Sequence, residues 1–125
     1  MEETPQNLNY NELEEHLLSF KGAAKDFPFG ADVAVFKVAG KMFALLAWAD
    51  DPLRMTLKCD PDEADILRYT FAAVRPGYYM NKEHWNTITL DGSVPKGLLL
   101  EMVSSSYALV VKGLRKSDQE KLSGT

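Results

Sequence analysis

Two β-rich runs, Val33–Val38 and Lys41–Ala47, are separated only by Ala39-Gly40, and this constrains the fold more than any other stretch. A two-residue loop with glycine at its second position is a tight hairpin turn. It forces the flanking runs to pair antiparallel and start a sheet. If the turn sets the register alone, Phe36 faces Phe43 on one side of the pair and Lys37 faces Met42 on the other. After Asp50-Asp51-Pro52 a third run, Leu53–Cys59, alternates, with Met55, Leu57 and Cys59 inward and Arg54, Thr56 and Lys58 outward.

Helical signals bracket these strands. Asn9 with Glu12 forms a capping box, Leu8 and Leu13 stand at staple positions, and Leu13, Leu17 and Phe20 line one face until Lys21-Gly22. Asp60-Pro61 with Glu63 starts a second helix that reaches about Tyr69 or Phe71. Trp85–Leu90 reads as a further strand, with Asn86, Ile88 and Leu90 on one face and Trp85, Thr87 and Thr89 on the other. A last helix from about Pro95 to Lys112 presents Leu99, Met102, Val103, Ser106, Val110 and Leu114 at helical spacing, and Gly113 stops it. With short extended pieces around 25–29 and 78–81, the order is α-β-β-β-α-β-α. That pattern implies a single α+β domain over residues 8–114, with a mainly antiparallel sheet and helices gathered on one face. Residues 1–7 and 115–125 are expected as flexible ends.

At 125 residues, with 46% hydrophobic and 26% charged content, the chain is sized for one ordinary core. No apolar run is long enough to span a membrane, and the first residues lack an export signal. The lone cysteine, Cys59, excludes an internal disulfide and fits a reducing cytoplasm. Net charge is −4 but unevenly spread. Residues 1–65 carry six Lys/Arg against thirteen Asp/Glu, and residues 66–116 carry seven against three. A basic face on an acidic protein is therefore compatible with the sequence.

The basic half contains Gly77-Tyr-Tyr-Met-Asn-Lys-Glu-His-Trp-Asn-Thr87, a concentration of aromatic rings, amides and a cation that suits contact with a polar, planar or anionic partner. Lys82 can neutralise a phosphate, Tyr78 or Trp85 can stack on a base, and Asn81 and Asn86 have the groups to read base edges. The competing reading has Trp85 capping a small hydrophobic cluster while both asparagines satisfy turn backbone. Lys41, Lys58 and Arg75 are further candidate phosphate contacts, as are Lys37 and Arg54. Scatter over opposite faces, as the hairpin implies for Lys37 and Lys41, would weaken the set.

Other chemistry has less support. His84 has Asp91 and Ser93 nearby in sequence, but no nucleophile-elbow context. His16 lies among glutamates. Cys59 precedes a helix N-terminus yet points inward, as a packed thiol does. One cysteine and two distant histidines cannot build a usual zinc site. No cofactor or metal is expected, and no phosphate loop is present.

The motifs together resemble one family. Pro28-Phe29-Gly30, Val35-Phe36-Lys37-Val38 and Gly40-Lys41-Met42-Phe43-Ala44-Leu45 are followed in order by Lys58-Cys59-Asp60-Pro61, Gly77-Tyr78 and Met80-Asn81-Lys82. His84-Trp85-Asn86-Thr87 and Leu90-Asp91-Gly92-Ser93 complete a set that resembles the MmcQ/YjbR family over roughly residues 10–114. Gly22-Ala23-Ala24-Lys25 departs from it by lacking the acidic residues often found there. The resemblance implies a frataxin-like (CyaY-like) α+β fold and a small bacterial, cytoplasmic protein that binds DNA through a double wing; a monomer is expected. It supplies no catalytic residue. An iron role by analogy with frataxin would rest on only Glu12, Glu14, Glu15 and Asp26. The expected function is non-enzymatic DNA binding. The alternatives are a module gripping a small anion or a peptide with the Tyr78–Trp85 surface, and an enzyme using His84.

Overall fold

The structure, a computed structural model, describes residues 9–77 and 81–123. Six strands form one antiparallel sheet: β1 (Ala23–Asp26), β2 (Val33–Val38), β3 (Lys41–Ala47), β4 (Arg54–Lys58), β5 (Val74–Pro76) and β6 (Trp85–Thr89). Their spatial order is β1-β2-β3-β4-β6-β5. Four helices accompany them: α1 (Tyr10–Leu18), α2 (Pro61–Thr70), α3 (Lys96–Lys112) and α4 (Lys116–Ser123). The domain is α+β.

Local chemistry explains the long elements. At α1 the Asn9 side chain accepts from the Glu12 amide at 2.8 Å while Glu12 accepts from the Asn9 amide at 3.2 Å, a complete capping box. The helix ends at Leu18, earlier than Lys21-Gly22, with Leu13 and Leu17 fully buried. Each contributes about 1.5–3 kcal/mol of hydrophobic stabilisation. Leu8, the other half of the expected staple, lies outside the described residues. Asp60 caps α2 by accepting from the amides of Asp62 and Glu63, and Pro61 takes the first helical position. In α3, Leu99, Met102, Val103, Ser106 and Val110 are buried at the expected spacing. Ser106 binds two strands at once: its hydroxyl accepts from the Lys58 amide at 2.8 Å and donates to the Phe43 carbonyl at 2.6 Å.

The Ala39-Gly40 turn has φ of 51° and 80°, the doubly left-handed geometry that matches strand twist. Lys37 pairs with Met42 as expected, but Phe36 pairs with Ala44 rather than Phe43. A bulge between Phe36 and Lys37 leaves Phe43 as the extra residue. Its ring and the Ala44 methyl thus both reach the core, each 0% exposed.

Three elements fall outside the expected order. The segment around 25–29 forms β1 only over Ala23–Asp26, and Val74–Pro76 forms β5, which the sequence reading takes as connection. Lys116–Ser123, expected as part of a flexible tail, is helix α4. The extended piece around 78–81 falls almost wholly outside the described residues.

One hydrophobic cluster joins Leu13 and Leu17 of α1 and Leu99, Val103 and Val110 of α3 to Phe36, Phe43, Leu46, Met55, Leu57 and Ile88 of the sheet. All helix packing of this core lies on one side. Among the described residues no helix covers the opposite face of β4, β6 and β5, where Thr87 is nonetheless buried.

Candidate nucleic-acid interface

Cross-strand partners share a face, so the register fixes what the open side presents. β4 and β6 place Arg54 beside Thr89, Thr56 beside Thr87, and Lys58 beside Trp85. β5 adds Arg75 opposite Thr87. The Thr56 and Thr87 hydroxyls meet at 2.8 Å, which confirms that this row points one way. The result is a grid of three cations, three threonines and one tryptophan with no carboxylate on those three strands.

An open concavity of about 800 Å³ extends from this grid, lined by Arg54, Arg75, Lys82, Thr87 and Thr89, with Asp91 at its wall. Arg54 is tied to Asp50 at 2.9 Å, and Arg75 donates to the Ala72 carbonyl at 3.1 Å. Among the described residues no ion pair holds Lys58, Arg75 or Lys82. Lys37 lies on the same side of the sheet but is paired with Asp26 at 3.4 Å. Acidic Asp62, Glu63 and Asp65 belong to α2, across the sheet from these cations.

The expected contact residues divide accordingly. Lys58, Arg75, Lys82 and Trp85 come together. Trp85 is half-buried on the open side, and Gly77 beside it leaves it room: a Cβ on Gly77 would lie 2.9 Å from the Trp85 Cβ. Lys41 does not join them. It pairs with Val38, whose side chain enters the core, and so stands on the helix side at the hairpin end. Asn86 is a further correction, because it is 1% exposed and faces the core, where it cannot reach a base edge. Asn81 is exposed, but its Oδ1 accepts from the Glu83 amide at 2.9 Å, the turn-building use of an asparagine. His84 is half-buried, with its carbonyl accepting from the Cys59 amide at 2.7 Å. Tyr78 lies outside the described residues. A single pocket lined by both Trp85 and Asn86 is ruled out, since neighbouring residues on a strand face opposite ways.

The residue that organises this segment is Arg68, which the sequence reading does not single out. Its Nε donates to Asn86 Oδ1 at 2.6 Å, and its Nη2 donates to the carbonyls of Lys82 and, at 3.3 Å, Trp85. Asp65 stands 3.6 Å from Nη1. Arg68 thus ties α2 to the turn entering β6. A signal was available: Ala64, Leu67 and Phe71 mark the packed face of α2, and Arg68 falls on it at i+4 from Ala64. A guanidinium on an apolar helix face requires acceptors nearby.

The Cys59 thiol is pushed up to about 11, chiefly by burial, with the charges of Glu63 and Asp60 adding to the rise. It stays protonated near neutral pH. No group of three or more His, Cys, Asp or Glu among the described residues is arranged to hold a metal, and no described helix is long and apolar enough to cross a membrane.

Sequence comparison bears on what kind of protein carries this face. The YjbR family model matches residues 18–109. The chain belongs to the YjbR family. Within it, protein YbdF of Escherichia coli O157:H7 is 34% identical over 77% of this chain and 79% of its own. Protein YjbR of Escherichia coli K12 is 29% identical over 92% of this chain and 98% of its own. A Deinococcus radiodurans protein with a DUF419 domain, known from its crystal structure, superposes with a TM-score of 0.88 at 38% identity, covering 95% of this YjbR-family chain and 90% of that one. A Pseudomonas syringae protein superposes at 0.70 with 26% identity over 82% of this chain and 98% of that one.

Proposed function

We propose that this YjbR-family protein binds DNA without catalysing a reaction, using the open face of β4, β6 and β5. The observation that carries the reading is the register itself: Arg54, Lys58, Arg75 and Trp85 share a face with three threonines, and the three strands place no carboxylate on it, the nearest being Asp50 on Arg54 and Asp91 in the concavity wall. Cations there attract phosphates, the Thr89 hydroxyl can donate to a phosphate oxygen, and the half-buried indole of Trp85 offers an edge to sugar or base, while buried Thr87 is held by Thr56. Net charge of −4 does not oppose this, because the acids of α2 sit behind the sheet. Contacts of this kind are insensitive to base sequence, so the reading is phosphate-directed binding. The non-catalytic part of the reading is supported by Cys59, whose raised pKa removes the thiolate that a nucleophile needs.

Anisotropy of a labelled 20-base-pair duplex across a salt series tests it. Lys58, Arg75 and Lys82 together predict a log–log slope of about −2.7, at roughly −0.9 per neutralised phosphate. Each alanine substitution should flatten the slope by about 1, and Trp85→Ala should weaken binding while leaving the slope unchanged. Absence of binding at about 50 mM salt would remove the proposal.

The concavity supports a second reading, a small phosphorylated or carboxylated anion held by Arg75 and Lys82. Pyrophosphate binding at Arg75 and Lys82 with no duplex binding would favour it.

A further inference from the structure

Asn86 has a second half that the Arg68 contact leaves unused. Arg68 Nε fixes the amide orientation by taking Oδ1 as its acceptor, so Nδ2 is the donor end. Nδ2 is buried and has no hydrogen-bond partner among the described residues. Buried donors without acceptors are rare and costly in folded proteins. The residue that carries this orphan also borders a cavity. A space of about 240 Å³ lies between α2 and α3, with Asn86 and its cross-strand partner Leu57 as the floor. Leu67 forms part of one wall and Leu98 and Met102 part of the other, so the lining is mainly apolar. The exposed carboxylates of Glu63 and Glu101 also line it, and Lys58, whose amide reaches Ser106 on this side, borders it from the end of β4.

We propose that this cavity is a binding site for a small, uncharged or cationic organic molecule. Its apolar body fills the space between α2 and α3, and a carbonyl-type acceptor on it receives the Asn86 Nδ2 hydrogen bond. The site lies on the helix side of the sheet, with Lys58 at the border to the basic face, and the carboxylates of Glu63 and Glu101 select against anions. Its chemistry follows from three features acting together: an unpaired donor at the floor, hydrocarbon walls, and carboxylates in the lining. The cavity holds a molecule of about the size of a substituted single ring. Cys59 also lines it, but as a protonated thiol it contributes packing rather than attack.

Acetophenone, toluene and benzoate are suitable probes, titrated into the ¹⁵N-labelled full chain and followed by NMR. Acetophenone should shift the Asn86 side-chain NH₂ and the Leu57 and Met102 amides with a millimolar dissociation constant. Toluene, lacking an acceptor, and benzoate, carrying a negative charge, should each bind about tenfold more weakly. Asn86→Asp keeps an acceptor for Arg68 while replacing the donor by a carboxylate, and should weaken acetophenone binding by at least tenfold. Ser105→Trp, at an exposed lining position on α3, should block the cavity without touching the floor. The proposal is overturned if acetophenone and toluene bind equally, if binding survives Asn86→Asp, or if the shifts map elsewhere. It is equally overturned if the Asn86 NH₂ shows only exchange with a bound water and no probe displaces it.

Discussion

Gly77 and Trp85 are joined at two points: the Gly77 amide donates to the Trp85 carbonyl at 2.8 Å, and the place a Gly77 Cβ would occupy is 2.9 Å from the Trp85 Cβ. The hydrogen bond extends the β5–β6 ladder by one residue, and the missing methyl lets the strands close around the indole. Gly77→Ala should therefore destabilise the chain by about 1–3 kcal/mol, because the nearest atoms include the Trp85 backbone at 3.2 Å, which cannot swing aside. A urea titration should show a lower midpoint at unchanged slope.

Arg68→Met keeps the aliphatic stem against α2 but removes every donor. Asn86 Oδ1 is then buried without a partner, which costs about 1–3 kcal/mol. The turn ahead of β6 also loses its tie to α2. Hydrogen exchange should accelerate at the Gly77, His84 and Cys59 amides, which bond to Trp85, Asn81 and His84 respectively, and remain slow in the β2–β3 hairpin. Duplex affinity should fall although Arg68 lies on the helix side of the sheet, since Lys82 and Trp85 would lose their fixed positions.

Ala39 carries a methyl at φ 51°, where residues other than glycine and asparagine are uncommon. Ala39→Asn should stabilise the turn by about 0.5–1 kcal/mol and raise Tm by a few degrees. Loss of stability instead would mean that the hairpin abandons this turn geometry.

The raised pKa of Cys59 makes stability pH-dependent on the alkaline side. The folded chain holds the thiol proton up to about pH 11, whereas the unfolded chain releases it near its ordinary value of about 9. Stability from this source is complete below about pH 9 and declines as pH rises towards 11. Its full size is at most about 2–3 kcal/mol. Tyr10 and Tyr107, whose pKa values burial also raises, slope the same way at the upper end. Denaturation midpoints of Cys59→Ala measured from pH 8 to 11 should lack the lower part of the decline.

The elements that could be read in advance are those whose ends announce themselves. Ala39-Gly40, Asn9 with Glu12, and Asp60-Pro61 are local chemistry, and the structure keeps each of them. The missed pieces have no such signal. β1 is Ala-Ala-Lys-Asp and β5 is Val-Arg-Pro; both are short edge strands that form because a neighbour offers hydrogen bonds. α4 is polar nearly all round, with Leu122 as its main apolar contact to the cluster. At the site, outward Lys58 and Trp85 were legible from alternation. The opposite fates of Trp85 and Asn86 were half-legible: their faces could be assigned, but the face that helices would cover could not. The place of Arg68 on the packed face of α2 was legible, but its acceptors were not, because they are 14 to 18 residues away and are mainly backbone carbonyls.

The bulge at Phe43 has a consequence for how chain length can vary. Strand β3 is in two phases, one running from the turn to Met42 and the other from Ala44 outward to Ala47, and the extra residue is the joint between them. Losing one residue at that joint would remove a ring from the core yet leave both phases pointing as they do. Losing Ala44 has the same effect with a methyl lost instead of a ring, whereas losing Leu45 would put Leu46 in the position of a residue that faces away from the helices. Phe43 and Ala44, the two consecutive core-facing residues of the bulge, are thus the positions in β3 where a natural deletion is survivable, and a shorter relative with an intact basic face should be missing a residue at one of them.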